Sequence, residues 1–449
     1  MNLKRFEHIY FVGIGGIGMS ALAHYFHAAG KTVSGYDKTP SAITNALLDK
    51  GIEVVFNDSI NAINSTALNR HYTLVVYTPA VPNTNAILNY FRSHGFEILK
   101  RAQVLGHVTQ DTFCMAVAGT HGKTTTSSIL GYLLESTNQK ATAFLGGISE
   151  NYNSNLIQNG NEITVVEADE FDRSFLSLRP NFACITAIDP DHLDIYGDAK
   201  TLAQAFENFA KLLPTDGRLF VHHEVPMAGI TYGVETQADY AAINLTVNNG
   251  TYHFDLKTPS NCIRNFELNM AGKHNLSNAV VALAMAIEKG ISEDALRNAL
   301  KDYKGVKRRF SYILKNDNLV FIDDYAHHPK ELLAVSNALK EMHPNQKATA
   351  VFQPHLYSRT QDFASEFAKV LSEFDAVLLL DIYPARERPI EGITSEWLLK
   401  KIKSRYKTLV QKSALVDAIK AIGNPLLVTL GAGDIGAEVE PLKQALIDG

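Results

Sequence analysis

The 449 residues carry 46% hydrophobic and 20% charged side chains, with 42 Lys and Arg against 47 Asp and Glu for a net charge of −5. Such a composition excludes a disordered or fibrous chain and supplies no basic surface for nucleic acid. The length asks for about three domains rather than one core.

The N-terminus imitates a secretory leader, because Lys4 and Arg5 precede an apolar run. Glu7 and His8 interrupt the transition, however, and the run is full of spaced glycines, so no leader is expected. No segment reaches the ~18 apolar residues of a membrane span. Cys114, Cys184 and Cys262 lie far apart without metal or disulfide spacing, which predicts free thiols in a reducing cytoplasm.

Short β-rich runs alternate with helical stretches, the pattern of stacked α/β units with Rossmann-like and nucleotide-loop layers. The first unit predicts strands at His8–Val12, Thr32–Tyr36, Thr73–Tyr77 and Phe96–Leu99. The second opens with Phe113–Ala118 and continues with Ile163–Val166, Phe182–Ile188 and Arg218–His222. The third has Leu319–Ile322, Ala348–Phe352, Ala376–Leu380 and Leu426–Leu430. Expected domains are therefore 1–108, 109–305 and 306–449, with 224–268 reading as irregular.

Between the first strand and its helix, Gly13, Gly15, Gly16, Ile17 and Gly18 fit GxGxxG, and Asp37 ends the next strand. This arrangement places a pyrophosphate on a helix N-terminus with an acid near a ribose or base. Alone it would suggest an NAD-dependent dehydrogenase. A second nucleotide loop follows about a hundred residues later, so a pyrophosphate-containing substrate explains the pair better.

That second loop is Gly119-Thr120-His121-Gly122-Lys123-Thr124, again between strand and helix. Backbone N–H groups, a helix dipole and the compact charge of Lys123 are what a triphosphate requires. Thr124 can offer its hydroxyl to Mg²⁺, with Thr125 beside it. The loop is shorter than GxxxxGK[ST], since Val117 stands where the first glycine would fall.

Two acidic clusters follow apolar strands. Glu167, ahead of Asp169 and Glu170, is the first candidate for a metal ligand. In Asp189-Pro-Asp191-His192, the histidine could bind the ion, hold one of its waters, or cap a turn. His274, Asn275 and Asn278 begin a helical stretch and could meet an adenine or simply cap the helix. Lys307-Arg308-Arg309 is a basic knot, and the strand ends near Asp324, His327, His328, His355 and Arg359 are loaded with polar groups.

Nine motifs in order, FVGIGGIGMSALA, AGTHGKTTT, VEADE, DHLD, GKHNLSN, RRF, DDYAHHP, FQPHLYSRT and GAGDIG, resemble those of the Mur ligase family of bacterial cell-wall precursor synthesis. The resemblance implies a three-domain α/β enzyme that uses ATP and Mg²⁺ to ligate an amino acid to a sugar nucleotide. Its substrates would be UDP-N-acetylmuramate and L-alanine; a tripeptide in place of alanine is the alternative within the family. It assigns the UDP moiety to Gly15, Gly16, Ile17 and Gly18 with Asp37 and Thr78 nearby. ATP falls to Gly119, Thr120, His121, Gly122, Lys123, Thr124 and Thr125, with His274, Asn275 and Asn278 toward adenine, Arg309 on phosphate and Asp324 on ribose. Magnesium falls to Thr124, Glu167 and His192, and the amino-acid end to His355 and Arg359. A cytoplasmic monomer or homodimer without nucleic-acid or membrane partner is implied.

Three departures from the pattern stand out. Leu356 stands where many relatives have arginine, and Gln103 replaces an acid. Some branches use a carbamylated lysine after DHLD; here Ala205, Glu207 and Phe209 occupy that neighbourhood, and neither Lys200 nor Lys211 is given the role.

Overall fold

The computed structural model describes residues 3–189, 193–248, 250–385 and 387–447. Its backbone builds three sheets in two compact units. The first unit comprises Met1–Leu245, Phe254–Glu267 and Ser277–Lys304; the second comprises Thr246–His253, Leu268–Leu276 and Gly305–Gly449.

The first sheet holds β1 (His8–Val12), β2 (Thr32–Tyr36), β3 (Glu53–Val55), β4 (Thr73–Tyr77) and β5 (Glu97–Lys100), in the order β3-β2-β1-β4-β5 with every pair parallel. Its central strand is buried throughout because helices cover both faces: Ile9 and Phe11 join one core cluster and Tyr10 and Val12 another. The strand order reverses beside β1, so the loop after β1 opens at the sheet's switch point, where α/β folds take ligands.

The central sheet is built from β6 (Phe113–Ala118), β7 (Ala141–Ser149), β8 (Ser154–Gln158), β9 (Ile163–Glu167), β10 (Phe182–Ile185), β11 (Arg218–His222), β12 (Ile230–Val234), β13 (Tyr240–Asn248), β14 (Thr251–Lys257) and β15 (Cys262–Leu268). Their order is β15-β14-β13-β12-β11-β10-β6-β9-β7-β8, parallel from β13 to β7 and antiparallel between β7 and β8. The stretch 224–268, expected to be irregular, supplies four of these strands. Along β14 the buried residues are Tyr252, Phe254 and Leu256, the period-2 pattern of a strand with one dry face.

β10 ends at Ile185 rather than Ile188, for a reason that concerns the site. From Thr186 onward the backbone turns to serve the loop after β6. The Thr186 hydroxyl donates to the Ala118 carbonyl at 3.1 Å and also contacts the His121 carbonyl.

The third sheet, in the second unit, contains β16 (Ser311–Lys315), β17 (Val320–Asp324), β18 (Ala348–Phe352), β19 (Ala376–Leu379), β20 (Tyr406–Leu409) and β21 (Leu426–Leu430), ordered β16-β17-β21-β18-β19-β20. Only β16 runs antiparallel among these pairs. Val320 and Ile322 face one core cluster and Phe321 another, so this sheet too is dry on both sides. No helix among the described residues is long and apolar enough to cross a membrane. Cys114 and Cys184 are buried and Cys262 is exposed, all as free thiols.

Candidate functional site

In the first unit, the first glycine loop and the lysine of the second loop line one cavity of about 360 Å³. Gly16, Ile17, Gly18 and Thr78 line it from the first sheet, and Lys123, Gly146 and Glu167 line it from the central sheet. Arg101, Asp169, Phe144 and Leu145 complete much of the remaining wall.

The phosphate loop begins where β6 runs out of ladder partners. Gly122 sits at φ +81°, a left-handed conformation that disfavours any side chain, and it starts the helix Lys123–Ser136. A Cβ there would also lie 2.5 Å from Asn278 Oδ1, so the buried asparagine is packed against the loop. Thr120 ties the loop to the neighbouring strand end: its N–H donates to the Ala187 carbonyl at 3.0 Å, and its hydroxyl accepts from Asp189 N–H at 3.0 Å. His121 Nε2 stands 3.3 Å from Asp189 Oδ2.

Lys123 Nζ donates to the Gly119 carbonyl at 2.6 Å and to both Glu170 oxygens at 2.9 and 2.8 Å. Burial opposes charge on this lysine, but Glu170, Asp169 and Glu167 outweigh it and hold its pKa above the usual value. The site therefore keeps a fixed cation in a poorly hydrated place.

Glu167 ends β9 at the carboxyl edge of the sheet, as its position in sequence implied. Its Oε2 accepts from the Thr124 hydroxyl at 3.2 Å, and its Oε1 accepts from Ser127 Oγ at 3.2 Å and from Gly146 N–H at 2.6 Å. Thr124 and Glu167 thus bring two hard oxygen donors together beside the cavity, a donor set that fits Mg²⁺ completed by phosphate oxygens and water. No cluster of three or more His, Cys, Asp or Glu suited to a metal occurs among the described residues. His192 lies outside the described residues. Thr125 is buried on the helix behind Thr124.

The first loop is held from two sides. Asp37 Oδ2 accepts from Gly15 N–H at 2.7 Å, so the acid that ends β2 braces the loop and is not among the cavity-lining residues. From the central sheet, the buried Asn155 donates to the Ile17 carbonyl at 2.6 Å and to Ser20 Oγ at 2.8 Å.

Arg101 escaped the sequence reading. It follows β5 directly, and strand ends at the carboxyl edge are where ligand groups gather, which is the signal that could have found it. Its guanidinium lies over Gly18 so closely that a Cβ there would be 2.7 Å from Nη1, and Asp169 Oδ2 anchors it at 3.6 Å. Gln103, noted as a departure, acts locally. Its Oε1 accepts from Lys100 N–H at 2.9 Å and caps the helix Arg101–Thr109, which a carboxylate would do equally.

The remaining expected residues lie in the second unit, apart from Asn278. Arg309 stacks 5.3 Å from the Tyr325 ring, Tyr325 meets His327 at 5.3 Å, and His327 meets His355 at 5.9 Å. His355 Nδ1 lies 3.3 Å from Arg359 Nη1 and its ring stacks on Tyr383 at 5.7 Å. Polar groups from separate strand ends therefore form one chain. Burial is the main force holding the His327 imidazole below its ordinary pKa, with Arg359 and Arg309 pushing the same way against Glu331.

Asp324 accepts from Phe310 N–H and Ala326 N–H, both at 2.7 Å, and burial raises its pKa to about 7 against those bonds and Arg309. Its carboxyl is thus engaged by the backbone of its own turn and of the segment before β16. Asn275 donates to the Ala271 carbonyl at 2.7 Å, and His274 is exposed. Leu356 is 9% exposed at φ +70°, so its side chain packs inward.

Fold and site define a multidomain α/β protein with a lysine-bearing phosphate loop and a glycine loop facing one cleft. Three family profiles match the chain: Mur ligase family, catalytic domain, at 8–112; Mur ligase middle domain at 117–286; and Mur ligase, glutamate ligase domain, at 308–433. The chain is 56% identical over 447 residues to the UDP-N-acetylmuramate–L-alanine ligase of Christiangramia forsetii, covering 99% of each. Among solved structures, it matches the UDP-N-acetylmuramate–alanine ligase of Thermotoga maritima with a TM-score of 0.85 at 27% identity, over 98% of this chain and 99% of that one. A murein peptide ligase of Psychrobacter arcticus shares the fold with a TM-score of 0.69 at 22% identity, over 98% of both chains. The chain belongs to the Mur ligase family.

Proposed function

We propose that this protein joins L-alanine to the lactoyl carboxylate of UDP-N-acetylmuramate at the expense of ATP, in peptidoglycan precursor synthesis. The observation that carries the reading is one cavity lined both by the diphosphate-type loop, through Gly16 to Gly18, and by Lys123 and Glu167 of the triphosphate-type site. A dehydrogenase would have no use for Lys123 and Glu167 in that wall. The named relative at 56% identity supports the alanine ligase over the tripeptide ligase.

A carboxylate is a poor acyl donor because its leaving group would be oxide. Transfer of the γ-phosphoryl group from ATP to a carboxylate oxygen gives an acyl phosphate and ADP. The neutral amine of L-alanine then attacks the acyl carbon, and the tetrahedral intermediate collapses to the amide with loss of phosphate. Lys123 would stabilise the charge that spreads over the transferring group, in a site dry enough to strengthen that interaction. Thr124, Glu167 and His192 would hold Mg²⁺, which when bound neutralises charge on the phosphates. Gly119 to Thr125 would cradle ATP, with Asn278 behind the loop and His274 and Asn275 toward the adenine. Arg309, Asp324, His355 and Arg359 would serve ATP and the amino acid from a C-terminal domain beginning near 306. The first domain would end near 108. The enzyme would work in the cytoplasm as a monomer or homodimer.

ADP release with UDP-N-acetylmuramate, run against a panel of amino acids and the tripeptide, tests the reading. Turnover is expected with L-alanine, with measurable leakage to glycine and serine, because one methyl group in an apolar pocket is worth only ~1–3 kcal/mol. Turnover with the tripeptide and none with alanine would reassign the substrate.

Arg101 would hold the diphosphate of the sugar nucleotide above Gly18. Arg101→Ala is expected to raise KM for that substrate by roughly 10- to 100-fold, the value of charge-assisted bonds, while KM for ATP stays within about twofold. Steady-state kinetics varying each substrate separately would reveal it. An equal rise in both constants would make the arginine merely structural.

A further inference from the structure

The turn after β9 carries a carboxylate that no step of the proposed reaction uses. Glu170 has no exposed surface, yet both its oxygens accept from the Lys123 ammonium, at 2.9 and 2.8 Å. The lysine also donates to the Gly119 carbonyl at 2.6 Å. An ammonium has three protons and no more. A phosphate oxygen that draws on Lys123 competes with these acceptors for its protons.

Glu167 is differently engaged, with Thr124, Ser127 and Gly146, so the two carboxylates of this turn have separate roles. The Glu170 backbone is fixed independently, since Tyr196 Oη donates to its carbonyl at 2.6 Å. Its side chain can therefore exchange partners while the turn stays in place.

We propose that Glu170 is a displaceable counter-ion for Lys123, holding the lysine in the loop until the β- and γ-phosphates of ATP take its place. The proposal deepens the ATP reading and rests on it. A buried ammonium without a partner is costly, so the empty loop needs an anion of its own. That anion then opposes the nucleotide, because ATP must break the pair and bring its charge beside a retained carboxylate. A positioning role of this kind lowers affinity for ATP in the native protein. A purely structural ion pair would do the reverse, since its loss would loosen the loop.

Binding of ATP and of AMP to the full-length protein, measured by titration calorimetry with Mg²⁺ present, separates the two. For Glu170→Gln, which keeps the shape and removes the charge, Kd for ATP is expected to fall by roughly tenfold or more. AMP has no β- or γ-phosphate, and its Kd is expected to stay within about twofold of the native value. Glu170→Asp, whose carboxylate stops one methylene short, is expected to fall between native protein and Glu170→Gln, and it carries the test should the glutamine variant not fold. ATP binding that is unchanged or weaker in the folded variants would overturn the counter-ion role, as would an equal gain for AMP. Native protein that fails to bind ATP would instead overturn the ligase reading itself.

Discussion

Replacing Lys123 with methionine is expected to lower kcat by about 10³-fold or more, since a charge aimed at the transferring phosphoryl group is among the largest single contributions to such catalysis. Alone, that loss would be ambiguous. Glu170 is fully buried against the lysine, and removing one member of a buried pair costs about 3–5 kcal/mol. Lys123→Met should therefore also lower the first thermal transition, by roughly 5–15 °C. Adding Glu170→Gln removes the stranded carboxylate and should return most of the lost stability. Turnover should not return with it, because the cation that met the phosphates is gone. Calorimetric melting of the three proteins beside single-turnover ADP formation makes the distinction. A double variant that regained activity together with stability would mean that the lysine only holds the loop.

The same pair shows where sequence reading stops. The loop itself was legible because its demands are local: a strand, a residue able to adopt φ +81° at Gly122, a lysine and a helix start. Glu167 was legible as an acid at a strand end. Glu170 stands three residues on in the same acidic turn, and nothing in the string distinguishes an exposed carboxylate from a wholly buried one. Arg101 is the stronger case, since its partners Gly18 and Asp169 lie far away in the chain and only the packing of the two sheets brings them together. Asp37 shows what packing adds to a position legible in the sequence. Its place after β2 is readable from the sequence, whereas the bond by which its carboxylate accepts from Gly15 N–H and braces the loop is not. The stretch 224–268 reads as irregular although Tyr252, Phe254 and Leu256 alternate cleanly, because the intervening Asn and Gly residues punctuate it into pieces too short to weigh singly.

Glu167→Gln should be nearly as damaging as the loss of Lys123, by a different route. Ser127 Oγ and Gly146 N–H both donate to Oε1, which the amide oxygen of glutamine can replace. The Thr124 hydroxyl meets Oε2 and can turn to accept from an amide nitrogen instead. The fold of the loop should survive, with melting within a few degrees of the native protein. What the amide cannot supply is negative charge for a hard divalent cation. Turnover is expected to fall about 10²- to 10³-fold, the range found when one charge-stabilising group is removed. The Mg²⁺ concentration for half-maximal rate should rise as well, and a titration of kcat against free Mg²⁺ would reveal it. A native Mg²⁺ requirement combined with a depressed rate would place Glu167 on the loop rather than on the ion. In that case the hydroxyl of Thr124 would have to meet the cation without the acid that now orients it.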